Sequence, residues 1–381
     1  MEIKAQLNQL RHTCPQISEL SDQQLIQRFQ HTVQSQIAKS DGPNEDDLEW
    51  ILAWECVGIG EQLWLVGRWQ EAERWLFVAL EKAEKAGDLI GQCQATGALG
   101  RVLRDKGEFP QAMALYNQTL GLAERLGDKR LQGVTYDQIG LAYKMQGKYI
   151  EAIENFKTSL VTMEGIGEMT APTYGNLGNV YEEQGDYVLA IEAFEKALAQ
   201  FLQLGYQQGV AQTYGNLGIV YRGQGRYEQA ADMYRKCLAI TERLGDEATS
   251  ANQYGNLGDI YTTQGDLDNA ILMFEQALKI MQRIGDEPKI AMQYSGLGKC
   301  YQLKNDTVHA LQLYEKSLGI SKRIGDKYLE AQTYLLLGTL YHLKLDDPIQ
   351  SRDHYEKARA LYEMLGNVEK AQEITEALRE V

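Results

Sequence analysis

The chain has 381 residues, longer than an ordinary single domain, so one compact core is not the expected architecture. Its 53 acidic and 38 basic residues give a formal charge of −15, which argues against nucleic-acid binding and against docking on anionic lipid. Apolar residues make up 44% of the chain, enough for a folded protein, while 36 glycines beside only 6 prolines require a positional explanation.

Within residues 1–47, the segment 1–40 holds apolar side chains at helical spacing, and the acidic segment SDGPNEDD lies at 40–47. We expect N-terminal capping helices and an acidic linker here. The sequence has neither an apolar leader nor a run of about 18 apolar residues, so it predicts no secretory signal and no membrane span. The five cysteines are scattered without a CxxC pair, which indicates a reducing compartment and a cytoplasmic location.

Glycines recur every 40 residues, with a single spacing of 38, along most of the chain. The first series is Gly60, Gly100, Gly140, Gly178, Gly218, Gly258, Gly298 and Gly338. A second series follows it by seven residues, and a third closes each repeat. Residues 48–366 are therefore predicted to form eight two-helix units. The units lie at about 48–87, 88–127, 128–167, 168–205, 206–245, 246–285, 286–325 and 326–366. A helix within 367–381 is expected to cap the last unit.

The fifth unit shows why each repeat is predicted to hold two helices. Tyr214 and Gly218 share one helical face, Gly225 breaks that helix, and a second apolar pattern then runs to Gly245. Gly245 suits the left-handed conformation at a helix C-terminus, and Asp246 suits the N-cap of the next helix. The recurring Gly-Asp pair therefore ends one helix and starts another.

Gly218 and its equivalents lie inside the predicted first helix, where glycine costs about 1 kcal/mol relative to alanine. We expect the facing helix to pack there so closely that a Cβ has no room, with small residues such as Ala230 suited to the same contact. Near residue 345 the turn glycine is lost and one extra residue enters at LDDP, so the C-terminal units depart from the pattern.

The pattern resembles the tetratricopeptide repeat, with Tyr221 in the first helix and Ala230 and Tyr234 in the second. The 40-residue length, the Y-G-N-L-G strings and the terminal L-G-D are similar to repeats of the Pins/LGN adaptors, kinesin light chains and bacterial multi-repeat proteins. The resemblance implies an all-α, right-handed solenoid with a concave binding groove. Nothing after residue 366 resembles the G-protein-binding tail of the Pins/LGN adaptors, so that function is not implied.

The resemblance places particular first-helix positions in the groove. Asn176, Asn216 and Asn256 form a ladder there, and an Asn amide both donates and accepts hydrogen bonds, as the backbone of an extended peptide does. The alternative is that these amides bond neighbouring helices and hold the stacking, and the two roles are compatible. Further candidate groove residues are Asn179, Arg222 and Asp259.

Cations gather in the N-terminal units. Arg101, Arg104 and Lys144 map to groove positions, where they either hold an acidic partner segment or are simply solvated.

All five tryptophans fall between residues 50 and 75. Trp54 and Trp64 map to the groove, and tryptophan is a frequent anchor at interfaces, whereas Trp69 is expected in the core. The alternative is that the N-terminal residues pack over these rings.

The sequence shows no catalytic or metal-ligating pattern. The histidines are scattered, no His-x3-His pair or phosphate-binding loop is present, and the G-N-L-G strings lie inside predicted helices. We therefore predict a non-enzymatic scaffold or adaptor that needs no cofactor and binds a protein or peptide segment, but neither nucleic acid nor membrane. Two alternatives stay open: a receptor or regulator that responds to signalling peptides, and a protein that self-associates through its Trp-rich N-terminal end.

Overall fold

The computed structural model describes residues 53–381, so the predicted N-terminal helices, the linker and Trp50 lie outside the described range. The described part consists of seventeen α-helices joined by short turns and contains no strand. The predicted all-α class is confirmed. These residues divide into two compact units between Gln184 and Gly185.

Unit 1 holds seven helices, each packed against the next one along the chain. They are α1 (Ala53–Leu65), α2 (Trp69–Ala86), α3 (Leu89–Asp105), α4 (Phe109–Leu126), α5 (Lys129–Met145), α6 (Tyr149–Glu164) and α7 (Ala171–Glu183). Trp75 and Leu76 are buried between α1, α2 and α3, and Tyr116 is buried between α3, α4 and α5. Each helix pair therefore completes its apolar core only with the help of the next pair.

Unit 2 repeats this arrangement over ten helices. They are α8 (Tyr187–Leu204), α9 (Gln207–Gly223), α10 (Tyr227–Leu244), α11 (Glu247–Gln264), α12 (Leu267–Ile284), α13 (Glu287–Leu303), α14 (Thr307–Ile324), α15 (Lys327–Leu340), α16 (Pro348–Met364) and α17 (Val368–Ala377). The short helix α17 packs on α16 and buries Ala371 and Ile374. These two side chains thus pack on the apolar surface at the C-terminal edge of the last helix pair.

Glycine and aspartate set the helix ends. Gly245 has a φ of 73°, and Asp246 accepts a hydrogen bond from the backbone N–H of Thr249 at 3.0 Å. This confirms that the Gly-Asp pair stops one helix and starts the next. Several second helices are capped by aspartate in the same way, which the sequence pattern had not predicted. These caps are Asp186, Asp266, Asp306 and Asp347.

The glycines inside the first helices lie against bulky side chains of their partner helices. A Cβ added to Gly140 or Gly258 would lie 2.7 Å from a ring carbon of Phe156 or Phe274. The predicted close packing is confirmed at these positions. The group that excludes the Cβ at both positions is an aromatic ring of the partner helix.

The turns inside the last two helix pairs lack the usual glycine. Asn305 takes a φ of 62° in one turn, and Asp346 takes a φ of 51° in the other. The extra residue of the last repeat is accommodated by a π-helical turn at Tyr341–Leu345, between α15 and α16. A π-helical turn encloses one more residue per hydrogen bond than an α-helical turn does.

Candidate functional site

A cavity of about 430 Å³ lies in unit 1. Its walls come from α1, α3 and α5, the first helices of three successive pairs, with a contribution from α4. Trp54, Val57, Leu131 and Val134 form apolar parts of the wall. The volume lies within the range of about 300–1,000 Å³ that is typical of ligand pockets.

A chain of hydrogen bonds joins the first helices next to this cavity. Trp64 Nε1 donates to Asp105 Oδ2 at 2.7 Å, and Arg104 Nε donates to Asp105 Oδ1 at 2.9 Å. Arg104 Nη1 also donates to Gln138 Oε1 at 2.7 Å. Because these residues come from α1, α3 and α5, the bonds fix the spacing of the three helices that form the walls.

Arg101 lies at the wall of the cavity and is neutralised there. Its guanidinium forms an ion pair with Glu61 and lies 5.6 Å from the ring centroid of Trp64. The cation is therefore held by groups of unit 1 itself, one of them a carboxylate and the other an aromatic face.

The remaining cation of the predicted cluster is also paired. Lys144 Nζ lies 2.9 Å from a carboxylate oxygen of Glu183, and the Lys144 side chain is 22% exposed. With Arg101 on Glu61 and Arg104 on Asp105, every member of the cluster has a carboxylate partner within unit 1.

Asn176 bonds the neighbouring first helix. Its Nδ2 donates to both carboxylate oxygens of Asp137 at 3.2 Å, which links α7 to α5. Burial raises the pKa of Asp137, whereas hydrogen bonds from Asn176 and Thr173 and the charge of Arg104 act in the opposite direction. This contact supports the stacking role for Asn176, and its role in partner binding stays a prediction.

In unit 2, the contacts of Asn256 and Arg222 are longer than those of Asn176 and of the cations in unit 1. Asn256 Nδ2 donates to Gln253 Oε1 of its own helix at a long 3.4 Å. Arg222 Nη1 and Asp259 Oδ2 are 3.7 Å apart and link α9 to α11. Asn216 is half-buried on α9. In unit 1, Asn179 is half-buried on α7.

Most residues of the cavity wall were not among the predicted site residues, and three of these occupy repeat positions that the prediction used in other units. Gln94 and Val134 occupy the same repeat position as Trp54, and Gln138 occupies the same position as Asn176. Their position in the repeat identifies these three residues as part of the wall. Charge, aromatic character and runs of identical residues do not identify them.

Trp69 was expected in the core, and this was wrong. Its side chain is 40% exposed because it is the first residue of α2, beside the turn at Gly67, where neighbours cover only part of the ring. The buried tryptophan of this helix is Trp75.

Within residues 53–381, no helix is both long and apolar enough to cross a membrane, and no group of acidic, His and Cys side chains has the arrangement of a metal site. Cys56, Cys93, Cys237 and Cys300 are free thiols in buried positions.

Tetratricopeptide repeats match this sequence at residues 92–163, 169–243 and 246–323, which is more than half of the chain. The chain belongs to the tetratricopeptide repeat family. No curated protein matches it.

Solved structures share this fold at low sequence identity. The apo form of RapI is 15% identical with a TM-score of 0.66, over 86% of this chain and 96% of that chain. A signal transduction ATPase with a tetratricopeptide repeat sensor from Pyrococcus horikoshii is 15% identical with a TM-score of 0.65, over 93% of this chain and 56% of that chain. The apo quorum sensor NprR from B. thuringiensis is 14% identical with a TM-score of 0.57, over 85% and 97%. Identities this low support the fold alone.

Proposed function

We propose that the chain is a non-catalytic interaction scaffold that binds a peptide or protein segment along its first helices, with the cavity of unit 1 as an anchoring point. The observation that carries this proposal is the cavity itself, since its walls come from three successive first helices. A segment lying across these helices would contact three repeats at once. Repeat proteins bind partners on extended surfaces of this kind.

The network beside the cavity supports the proposal. The bonds from Trp64 through Asp105 and Arg104 to Gln138 hold the walls in place before any partner arrives. A preformed site loses less conformational entropy on binding than one that must be ordered by its ligand.

A displayed library of random peptides, selected on the purified full chain, tests this function. The selected peptides should bind the parent and Val161→Glu, but not Val134→Glu. Val134 lines the cavity on α5, whereas Val161 is 73% exposed on the second helix α6, so both variants add the same charge to a valine of unit 1. Equal binding by both variants, or no enrichment of any peptide, contradicts the proposal.

The ladder asparagines of unit 2 are proposed as additional contacts. The long bond of Asn256 within its own helix leaves its amide weakly held, in contrast to Asn176. Replacing Asn216 and Asn256 together by alanine should weaken partner binding while the helical circular dichroism stays the same. Unchanged affinity would assign these amides to the scaffold alone.

A second candidate function is a receptor for free signalling peptides. It is favoured by the likeness to RapI and to the quorum sensor NprR over 85–86% of this chain. The two functions differ in how they treat the ends of a peptide. A receptor should lose a selected peptide once the same sequence is embedded in the loop of a carrier protein, whereas an adaptor should bind both forms.

Self-association through the N-terminal end is also proposed. Leu65, Val66 and Phe77 are 65%, 61% and 51% exposed on the first helix pair and the turn between its helices. Sedimentation velocity over a range of concentrations should show an assembly that Phe77→Glu disrupts. A parent protein that stays monomeric at every concentration contradicts it.

A further inference from the structure

We infer that the cavity of unit 1 selects a partner segment by one bulky, uncharged apolar side chain and discriminates against an acidic one. This inference rests on the proposed function, because it names the chemistry of the segment that the cavity takes.

The paired cations carry the first part of the argument. Arg101 is held by Glu61, Arg104 by Asp105, and Lys144 by Glu183. An acidic segment would have to displace an existing carboxylate from each cation, so it would exchange one ion pair for another without net gain.

The charges in the cavity wall point the same way. Two carboxylates, Glu61 and Asp88, line the cavity, against the single guanidinium of Arg101. The Asp88 carboxylate already accepts a hydrogen bond from the backbone N–H of Ile90 as the N-cap of α3. An additional carboxylate from a partner would therefore meet net negative charge in the cavity wall.

The rest of the wall suits an apolar group. Trp54, Val57, Ile90, Leu131 and Val134 come from three helices and surround the same space. Burial raises the pKa of the Cys93 thiol, also in the wall, to about 11, so this group is neutral at physiological pH. A desolvated aromatic or long aliphatic side chain gains most from walls of this composition.

Gly97 provides a direct way to occupy the cavity from within. It lies in the wall on α3, and the first atom that an added Cβ would meet is Thr119 Cγ2, at 3.9 Å. A leucine side chain at this position therefore extends into the cavity without a clash at its Cβ. Gly121 is the matched control, because it lies within α4, is exposed, and has no neighbour within 4 Å of an added Cβ.

The experiment uses peptides from a displayed random library selected on the full chain. We expect the enriched peptides to share one position held by Phe, Trp, Leu, Ile or Met. Changing that residue to Asp should lower the affinity by about 30-fold or more, as is typical of a buried anchor. Gly97→Leu should lower it to a similar extent, while Gly121→Leu should bind like the parent. Circular dichroism and thermal unfolding of both variants show that the comparison is made between folded proteins.

The outcomes separate this inference from the function on which it rests. Peptides enriched for Asp or Glu at the shared position, or full affinity in Gly97→Leu, overturn the apolar anchor while peptide binding itself stands. Absence of any enriched peptide overturns the proposed function and this inference with it.

Discussion

The ring of Tyr314 lies directly on Gly298, so that a Cβ at position 298 would be 2.6 Å from ring atom Cε1. The same tyrosine donates a hydrogen bond from its hydroxyl to Gln302 Oε1 at 2.7 Å, on the same helix as Gly298. Tyr314 is fully buried. A single side chain of α14 thus contacts α13 in two ways, by packing its ring on Gly298 and by a hydrogen bond to Gln302.

Gly298→Ala should destabilise the protein even though alanine favours helix by about 1 kcal/mol. Forcing a methyl group against a buried ring typically costs about 1–3 kcal/mol, which leaves a net loss of about 1 kcal/mol. Gly319→Ala on α14 is the control, because that position is exposed and has no neighbour within 4 Å. Urea unfolding should show the two substitutions shifting stability in opposite directions.

The period of the glycines was enough to predict the helix pairs, their turns and the Gly-Asp caps between pairs, whereas the aspartate caps of the second helices were not predicted. Glycine with positive φ and aspartate at the N-cap act locally, so a single sequence shows them. The sequence indicated only that position 298 has no room for a Cβ. It did not identify Tyr314 as the residue in contact, because the two residues are sixteen positions apart and no local pattern connects them.

The site was less predictable than the fold. Asn176 and Arg104 were identified by residue type, but their bonds to Asp137 and Gln138 depend on which first helices lie side by side. The exposure of Trp69 has a similar origin, since a residue at the first position of a helix is covered on one side only. The hydrogen-bond partner of a side chain and the fraction of it that neighbours cover both depend on how the helices pack.

Loss of an N-cap should be measurable at the start of α11. Asp246→Ala removes the hydrogen bond to the backbone N–H of Thr249 and should cost about 1 kcal/mol in the free energy of unfolding. Asp232→Ala serves as the comparison, because Asp232 forms an exposed pair with Lys236 within α10 and such pairs contribute about 0.5 kcal/mol or less. Similar losses in both variants would argue against the capping role.

Asp137 should make stability depend on pH. Burial raises its pKa in the folded protein, so the folded state binds this proton more tightly than the unfolded state does, and ionisation above that pKa weakens folding. The stability of Asp137→Asn relative to the parent should therefore increase as the pH rises from below 3.8, the ordinary value for the group, to neutral. Urea unfolding at several pH values measures the difference. A relative stability that stays constant, or falls, with rising pH contradicts the assignment.

Asp105 and Asp268 both link neighbouring repeats, but they differ in burial. The Asp105 side chain is 22% exposed and bonds Trp64 and Arg104, whereas that of Asp268 is 88% exposed and pairs with Lys304 at 2.6 Å. Removing a carboxylate from a largely buried cation leaves its charge less compensated, so Asp105→Ala should cost about 3 kcal/mol, the lower end for buried pairs. Asp268→Ala should cost about 0.5 kcal/mol or less, because water solvates both of its groups.

Tryptophan emission should report on the same pair of variants. Asp105→Ala removes the acceptor of Trp64 Nε1, so the spectrum of the folded protein should change, whereas Asp268→Ala leaves every described tryptophan contact in place. If Asp105→Ala alters neither stability nor emission, the hydrogen-bond chain does not hold the cavity walls. The preformed site would then need another support, because α1, α3 and α5 are joined beside the cavity through this carboxylate and the arginine next to it.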